Sequence, residues 1–348
     1  MSVQTVMGQV DESQLGITTP HEHVLIDLRN QFTGFSEVTK KILSEQKVSI
    51  KNLDVLSRNP YALKDNLLLG DIGTARDELF YFKKAGGKTI VDATSKGIGR
   101  DPEAVRELAA GLDLNIVLGA GYYTQDTHPA DMDQREIEDI ADEIVKEIEI
   151  GIEDTGIRAG IIGEIGTSEK IYPNEKKVLI ASAKAQEETG TAIIIHTYPW
   201  GKQGLEAINI LEQNGANINK VSISHIDVEI DIEYCKEILS NGAYIEFDNF
   251  GKEYFIDKRY RGFAGGVFAR DIERVQTIKN LMDEGFSDKI LISCDICLKT
   301  LLHQFGGWGY DHVLVNIVPM LKEAGLTDGQ ISKLLMDNPQ NFIRISKK

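Results

Sequence analysis

The chain alternates between short apolar runs and longer stretches in which apolar residues recur every three or four positions. Eight of the short runs are rich in β-branched residues and are predicted to be strands: GITTPHEH, GKTIVDAT, NIVLGAG, AGIIGEIG, AIIIHT, KVSISHI, AYIEFDN and KILISCD. Their nearly continuous apolar character is typical of strands buried on both faces of a parallel sheet. The pattern therefore predicts an α/β protein built from repeated strand–helix units.

The segments between most of these strands have helical periodicity. In REIEDIADEIVKEIEI, Ile137, Ile140, Ile144 and Ile148 share one face of a predicted helix. In NEKKVLIASAKAQEETG, Gly190 is a suitable C-terminal stop. Eight such units predict a closed (β/α)8 TIM barrel. An open doubly wound sheet is the alternative, but its first strand usually leads into a glycine-rich phosphate-binding turn, and here that place holds HEH.

The predicted barrel has additions at its start. Residues 1–348 are expected to form a single domain, because no linker, repeat or low-complexity tract divides them. Residues from about 3 to 15 predict a small hairpin ahead of the barrel. The polar, irregular stretch from about 28 to 70 predicts a long loop after the first strand, with room for short helices.

Charge and composition exclude several classes of protein. The formal net charge is −16 and no basic run occurs, which argues against a nucleic-acid partner. No secretory signal and no apolar run near 18 residues is present, so we expect a cytoplasmic protein without a membrane partner. Cys235, Cys294 and Cys297 suit a reducing compartment, and CDIC is expected to supply buried small side chains in preference to a redox pair.

Polar residues end most of the predicted strands. In a barrel of this type, functional groups lie at the carboxyl ends of the strands. A single histidine there is more often a hydrogen-bonded core residue than a ligand, but four of the seven histidines of the chain fall at such ends. These positions therefore point to one shared site, and the polar residues at the strand ends are His21, His23, Asp92, Glu164, His196, His225, Asp248 and Asp295.

The spacing of these residues predicts two metal ions. His21 and His23 point to the same side of their strand because side chains alternate with period two, and Asp295 ends the strand that closes the barrel beside them. These three can bind one ion. His196 and His225 end neighbouring strands and can bind a second.

Glu164 ends the strand between the two groups, so its carboxylate can bridge both ions. Imidazole and carboxylate ligands suit zinc, manganese, iron or cobalt, and zinc is the preferred expectation. The lack of cysteine ligands argues against a closed structural zinc site.

The sequence resembles the phosphotriesterase family of the amidohydrolase superfamily over nearly its whole length. The resemblance rests on GITTPHEHVLID, AGIIGEIGTSE, IIIHT, ISH, ISCD and the closing segment GGWGYDHVLVNIVPMLKEAGLTDGQISKLLMDNPQNF. It implies a TIM barrel with a binuclear metal centre and hydrolase activity. It assigns the metal ligands to His21, His23, Glu164, His196, His225 and Asp295.

Three positions qualify the resemblance. Many members bridge the metals with a carboxylated lysine, whereas this chain has Glu164, as a subset of the family does. Members that degrade organophosphates have a relay histidine where this chain has Asn249, which argues against efficient phosphotriester hydrolysis. Lactone-hydrolysing members have a tyrosine beside the metals, and Tyr123 in LGAGYY takes that place, with rim packing as its alternative role.

The expected reaction is hydrolytic attack by a metal-bridging hydroxide. Asp295 is predicted to bind one metal through one carboxylate oxygen and to accept the hydroxide proton with the other. Tyr123 is predicted to stabilise the developing oxyanion.

The predicted loop after the seventh strand, residues 249–274, is basic in an otherwise acidic chain, with six cations and four acids. Since barrel loops seven and eight often hold phosphate, these cations and Lys299 predict an anionic substrate such as a phosphorylated sugar lactone. The alternative is that the cations pair with the many acids of the chain. The predicted substrate-binding residues are Lys252, Arg259, Arg261, Arg270, Arg274 and Lys299.

A lactonase is thus the preferred function. The alternatives are a promiscuous phosphotriesterase or carboxylesterase with the same metals, amide hydrolysis at the same centre, and a non-catalytic binding protein. The last is disfavoured because all six ligand positions are intact. Barrels of this type often form homodimers, and no interface signal is evident. His312 is expected to pack or cap, and Trp308 to line the site or cover the barrel mouth.

Overall fold

The structure, a computed structural model, describes residues 2–34, 38–256 and 266–346. Eight parallel strands form one nearly closed barrel, in which each strand pairs with the barrel strand that comes next along the chain. The backbone N–H of Asp295 lies 3.3 Å from the carbonyl oxygen of His21, which connects the last barrel strand to the first. The strands are β3 (Ile17–Glu22), β6 (Gly87–Asp92), β7 (Asn115–Ala120), β8 (Ile161–Gly166), β9 (Ile193–His196), β10 (Val221–Ile223), β11 (Tyr244–Phe247) and β12 (Ile290–Ile292).

Helices follow the strands and cover the outside of the barrel. They are α3 (Ile72–Lys84), α4 (Pro102–Leu112), α5 (Ile137–Glu149), α6 (Pro173–Thr189), α7 (Gln203–Gln213), α8 (Ile232–Ser240) and α9 (Asp271–Asp283). After β12, the chain continues through α10 (Val318–Glu323), α11 (Asp328–Ser332) and α12 (Asn338–Ile343), with π-helical turns at Val313–Ile317 and Lys333–Asp337. The predicted (β/α)8 TIM barrel is confirmed.

Shorter elements precede the barrel and follow its first strand. β1 (Ser2–Thr5) and β2 (Gly8–Asp11) pair as an antiparallel hairpin. The segment after β3 contains α1 (Val38–Ser44), α2 (Leu53–Leu56) and the antiparallel pair β4 (Ile26–Asp27) and β5 (Leu68–Leu69). Within the described ranges, no helix combines the length and apolar character needed to cross a membrane.

Alternation along each strand divides the core into two layers. In β9, Ile193 and Ile195 pack in the layer beneath the helices, whereas Ile194 packs in the layer inside the barrel. In β12, Leu291 likewise packs inside. Because successive side chains point to opposite faces, the inner layer continues toward the carboxyl ends as an inward row of polar side chains. The core therefore fixes which strand-end residues can meet in the barrel mouth.

Candidate metal centre

The HEH sequence at the end of β3 directs its three side chains to opposite sides. All three side chains are buried. His21 and His23 point toward Glu164 in the barrel mouth, whereas Glu22 points to the other side of the strand. The Glu22 carboxylate accepts hydrogen bonds from the backbone N–H of Cys294 at 2.9 Å and of Ile296 at 2.8 Å. These two residues flank Asp295. Glu22 thus fixes the position of Asp295 relative to the two histidines.

We expect Glu22→Gln to lower the free energy of unfolding by about 1–3 kcal/mol, because the new amide NH2 would face a backbone N–H that needs an acceptor. Bound metal should also fall, since Asp295 loses its alignment with the histidines. Denaturant unfolding and elemental analysis measure the two effects. Glu212→Gln, on the exposed side of α7, is the matched control. An unchanged unfolding midpoint would contradict this role of Glu22.

Glu164 lies between the two histidine pairs. Its Oε1 is 3.5 Å from His23 Nε2, and its Oε2 is 3.5 Å from His21 Nε2. The same Oε2 is 3.1 Å from His196 Nδ1 and 3.5 Å from His225 Nε2. One carboxylate therefore contacts all four imidazoles, which is the arrangement that a bridging ligand requires.

A second layer of side chains orients three of the imidazoles. His21 Nδ1 lies 2.6 Å from Glu246 Oε2, and His23 Nδ1 lies 2.9 Å from the Thr94 hydroxyl. His225 Nδ1 lies 3.1 Å from Asp248 Oδ1. With Nδ1 engaged in this way, the Nε2 atom of each ring faces the centre, as is usual for metal-binding histidines.

The donor atoms fit divalent cations. Within the described ranges, one set of mutually close donors comprises His21, His23 and Asp295, and another comprises Glu164, His196 and His225. A third set joins His21 and His225 to Asp248. His21 Nε2 is buried and has no hydrogen-bond partner among the residues that the structure describes, although buried polar atoms are normally paired. A metal ion would satisfy it.

The local field also favours positive charge at this centre. Burial by itself would lower the pKa of His21, but the carboxylates of Glu246 and Glu164 raise that pKa well above its usual value. Burial likewise opposes protonation of His225, yet Asp248 raises its pKa to about 10. Carboxylates that stabilise imidazolium in this way would also stabilise metal cations.

Two candidate ligands have left-handed backbone conformations. The φ angle is +62° at His225 and +46° at Asp295, a region that residues with a side chain seldom occupy. The backbone N–H of His225 donates to the Asp248 carboxylate at 3.0 Å and 3.1 Å, which holds this conformation. Such outliers cluster at functional sites, where the surrounding structure compensates for their cost of about 1–3 kcal/mol.

Asp295 contacts both a histidine and a lysine. Its Oδ1 is 3.1 Å from His23 Nε2, and its Oδ2 contacts the ammonium of Lys252. Burial would lower the pKa of Lys252, but Asp295 raises it well above its usual value, so Lys252 carries a positive charge. Burial raises and Lys252 lowers the pKa of Asp295, and the net shift is downward. The carboxylate is therefore ionised.

Tyr123 lies beside the His196 ring. Its hydroxyl is 3.2 Å from His196 Nδ1 and accepts a hydrogen bond from Gln31 Nε2 at 3.3 Å. Burial, with Glu164 nearby, raises the pKa of Tyr123 well above its usual value, so the hydroxyl keeps its proton. It is then able to donate a hydrogen bond into the pocket.

Of the predicted substrate-binding residues that the structure describes, Lys252 lines the pocket and the others do not. Arg274 is fully buried against Asp227 and Asp271. Arg270, which precedes α9, pairs at the surface with Glu273 in the first turn of that helix. Lys299 pairs with Asp65, away from the site. The sequence predicted that Arg270, Arg274 and Lys299 bind the substrate. In the structure, carboxylates outside the pocket hold each of these side chains away from it. Arg259 and Arg261 lie outside the described residues.

Several residues of the site were not identified from the sequence. Glu246 does not line the pocket but supports His21 from behind. It follows Tyr244 by two positions in β11, so its period-two place on the inner face was a usable signal. Gln31 and Tyr61 come from the irregular segment after β3, and Tyr254 comes from the loop after β11, where no periodicity marks them. Aromatic and aliphatic side chains make up much of the pocket wall, including Ile26, Leu28, Tyr61, Tyr254, Phe268 and Leu298.

Comparison with known proteins agrees with this geometry. A family model described as the Phosphotriesterase family matches residues 1–343. A protein of Danio rerio named N-acetyltaurine hydrolase is 38% identical over 343 residues, which cover 98% of this chain and 97% of the relative.

Two solved structures extend the similarity to three dimensions. A resiniferatoxin-binding protein from Rhodobacter sphaeroides has 33% identity and a TM-score of 0.95, covering 100% of this chain and 96% of that chain. A lactonase from Listeria monocytogenes has 26% identity and a TM-score of 0.79, covering 100% of both chains. The resemblance inferred from the sequence is confirmed: the chain belongs to the phosphotriesterase family and is a hydrolase that acts on amide or ester bonds.

Proposed function

We propose that this chain is a metal-dependent hydrolase of small acyl amides whose leaving amine carries one anionic group, as in an N-acylated aminosulfonate. The observation that carries the proposal is the buried ammonium of Lys252, which lines the pocket beside Asp295. The name of the Danio rerio relative, N-acetyltaurine hydrolase, supports an amide of this type.

The surroundings of Lys252 suit a single small anion. Its Nζ contacts Asp295 Oδ2 and lies 3.7 Å from the Cys297 sulfur. A lysine ammonium has three N–H donors, so one carboxylate does not saturate it. The nearby wall includes Tyr61, Tyr254 and Leu298, which suits a short hydrocarbon link between the anion and the scissile bond.

The proposed reaction divides its tasks among a few side chains. Two divalent cations on the six candidate ligands would supply a water of lowered pKa and a Lewis acid for the scissile carbonyl. Asp295 accepts the proton of the attacking water and returns it to the leaving nitrogen. The Tyr123 hydroxyl, beside His196, donates a hydrogen bond to the carbonyl oxygen as negative charge develops there. Lys252 orients the substrate through its anionic end.

A lactone with an anionic substituent is the second candidate. The position of the Tyr123 hydroxyl beside His196 favours it, as does the similarity to the Listeria monocytogenes lactonase. A sugar phosphate is less well matched, because a phosphate dianion is best bound by several donors and one cation of the described chain lines the pocket. Phosphotriester hydrolysis is disfavoured because Asn249, which has no basic nitrogen, lines the pocket where a relay histidine is expected.

Substrate pairs that differ in charge test this proposal. We expect kcat/KM for N-acetyltaurine to exceed that for the neutral analogue in which a methyl sulfone replaces the sulfonate. Lys252→Met should reduce this preference by about 100-fold, since an anion in a buried site would lose its counter-charge. Lys236→Met, at a surface pair with Glu284, is the control.

Equal kcat/KM for the two amides in the wild-type enzyme would contradict the proposal. The same assay with a sugar lactone and its phosphate ester examines the second candidate. A higher kcat/KM for either lactone than for N-acetyltaurine would favour lactone hydrolysis.

A further inference from the structure

We infer that a buried ion-pair network, formed by Asp227, Asp271, Arg274 and His312, positions Lys252 and thereby sets the selectivity of the pocket for an anionic substrate. This inference rests on the proposed function of Lys252. The four side chains do not line the pocket. They are therefore positioning residues, which act through the backbone of the loop that carries Lys252.

Arg274 is the centre of the network. Its Nε donates to Asp227 Oδ2 at 2.8 Å, and its Nη1 donates to Asp271 Oδ1 at 2.9 Å. Its Nη2 lies 3.3 Å from the carbonyl oxygen of Lys252. The planar guanidinium thus connects two carboxylates and the loop backbone, which a lysine side chain with one nitrogen cannot reproduce.

Both carboxylates also hold the loop directly. Asp227 accepts hydrogen bonds from the backbone N–H of Asn249 at 3.0 Å and from its side-chain amide at 2.8 Å. Asp271 accepts a hydrogen bond from the backbone N–H of Gly251 at 3.0 Å. The network therefore contacts the loop immediately before Lys252 and at Lys252 itself.

His312 and Trp308 close the outer side of the network. His312 Nε2 lies 2.8 Å from Asp271 Oδ2, and its ring stacks on Trp308 with centroids 5.1 Å apart. Gly251 has a φ angle of +85°, and a Cβ there would lie 3.2 Å from Trp308 and 3.3 Å from His312. The turn before Lys252 is thus held between the ion pairs and this aromatic pair, which leaves little room for displacement.

This anchoring matters because lysine has a long, flexible side chain. If the backbone of this loop could move, the Lys252 ammonium would lose more side-chain entropy in staying paired with Asp295. Its distance to a bound anion would also vary. A misplacement of about 1 Å can cost about 100-fold in rate. A purely structural role of the network would instead lower stability and affect all substrates equally.

A double-mutant cycle between Arg274→Lys and Lys252→Met separates these roles in the metal-loaded enzyme. We expect Arg274→Lys to raise KM for N-acetyltaurine about tenfold, with kcat/KM for the neutral sulfone changed by less than about twofold. In an enzyme that already carries Lys252→Met, Arg274→Lys should cause no further change in the ratio of kcat/KM for N-acetyltaurine to kcat/KM for the sulfone. Arg76→Lys, at an exposed pair with Glu107, is the matched control.

A second, milder variant tests the inference if Arg274→Lys does not fold. His312→Gln removes the imidazole contact with Asp271 and leaves both Arg274 ion pairs, and it should shift the substrate ratio in the same direction. Equal losses for both substrates in Arg274→Lys and His312→Gln, or effects that add to that of Lys252→Met, would overturn the inference while the proposed function stands. A Lys252→Met enzyme with unchanged selectivity would refute the proposed role of Lys252 and the inference together.

Discussion

Replacement of Asp295 by asparagine is expected to leave the barrel folded and to lower kcat by about 10²- to 10⁴-fold, the range that general acid–base catalysis supplies. Asparagine keeps the shape of the side chain and one oxygen toward His23. It loses the ionised oxygen that would take up a proton. The loss of proton transfer should appear in kcat, and the loss of the ion pair with Lys252 should appear as a change in KM.

Steady-state kinetics with N-acetyltaurine, combined with metal analysis of the same preparation, measure this effect. Metal analysis is needed because Asp295 is also a candidate ligand, and a variant that has lost metal would be inactive for another reason. Asp113→Asn, which removes an exposed carboxylate paired with Lys88, is the control for the chemical change. A metal-replete Asp295→Asn enzyme with near-normal kcat would remove Asp295 from the mechanism.

The second large effect is expected at Glu164. Glutamine has one acceptor oxygen and one NH2 group, so it cannot present two anionic oxygens to the histidine pairs that Glu164 contacts. We expect Glu164→Gln to bind at most one metal ion per chain at metal concentrations that saturate the wild type, and to lose most activity. Removal of a residue that hydrogen-bonds to a metal ligand lowers metal affinity about 10- to 100-fold. The loss of metal affinity in Glu164→Gln should be larger.

Glu246→Gln provides a matched control for this experiment. Glu246 contacts His21 Nδ1 on the side away from the centre, so the same chemical change there weakens the orientation of one ligand without removing a bridge. The control should bind two ions with reduced affinity. Calorimetric titration of each apo-protein with zinc measures stoichiometry and affinity. Two ions bound by Glu164→Gln with wild-type affinity would refute a bridging role.

The sequence by itself was sufficient to predict the barrel and the six residues that meet at its mouth. Strand periodicity is a local property, and alternation with period two directs His21 and His23 to one side whatever the rest of the chain does. The order of the strand–helix units then predicts which strand ends are neighbours. The distances from Glu164 to four imidazoles have the geometry that this reasoning expected.

The tertiary structure alone decided which charged and polar residues of the irregular segments face the site. Lys252 and Arg274 belong to the same basic segment, yet one lines the pocket and the other lies buried in ion pairs behind it. Gln31 and Tyr61 enter the pocket from a segment without periodicity. Loop conformation depends on contacts distant in the chain, such as those of Asp227 and His312 with the loop after β11, and no local pattern of residue types encodes these contacts.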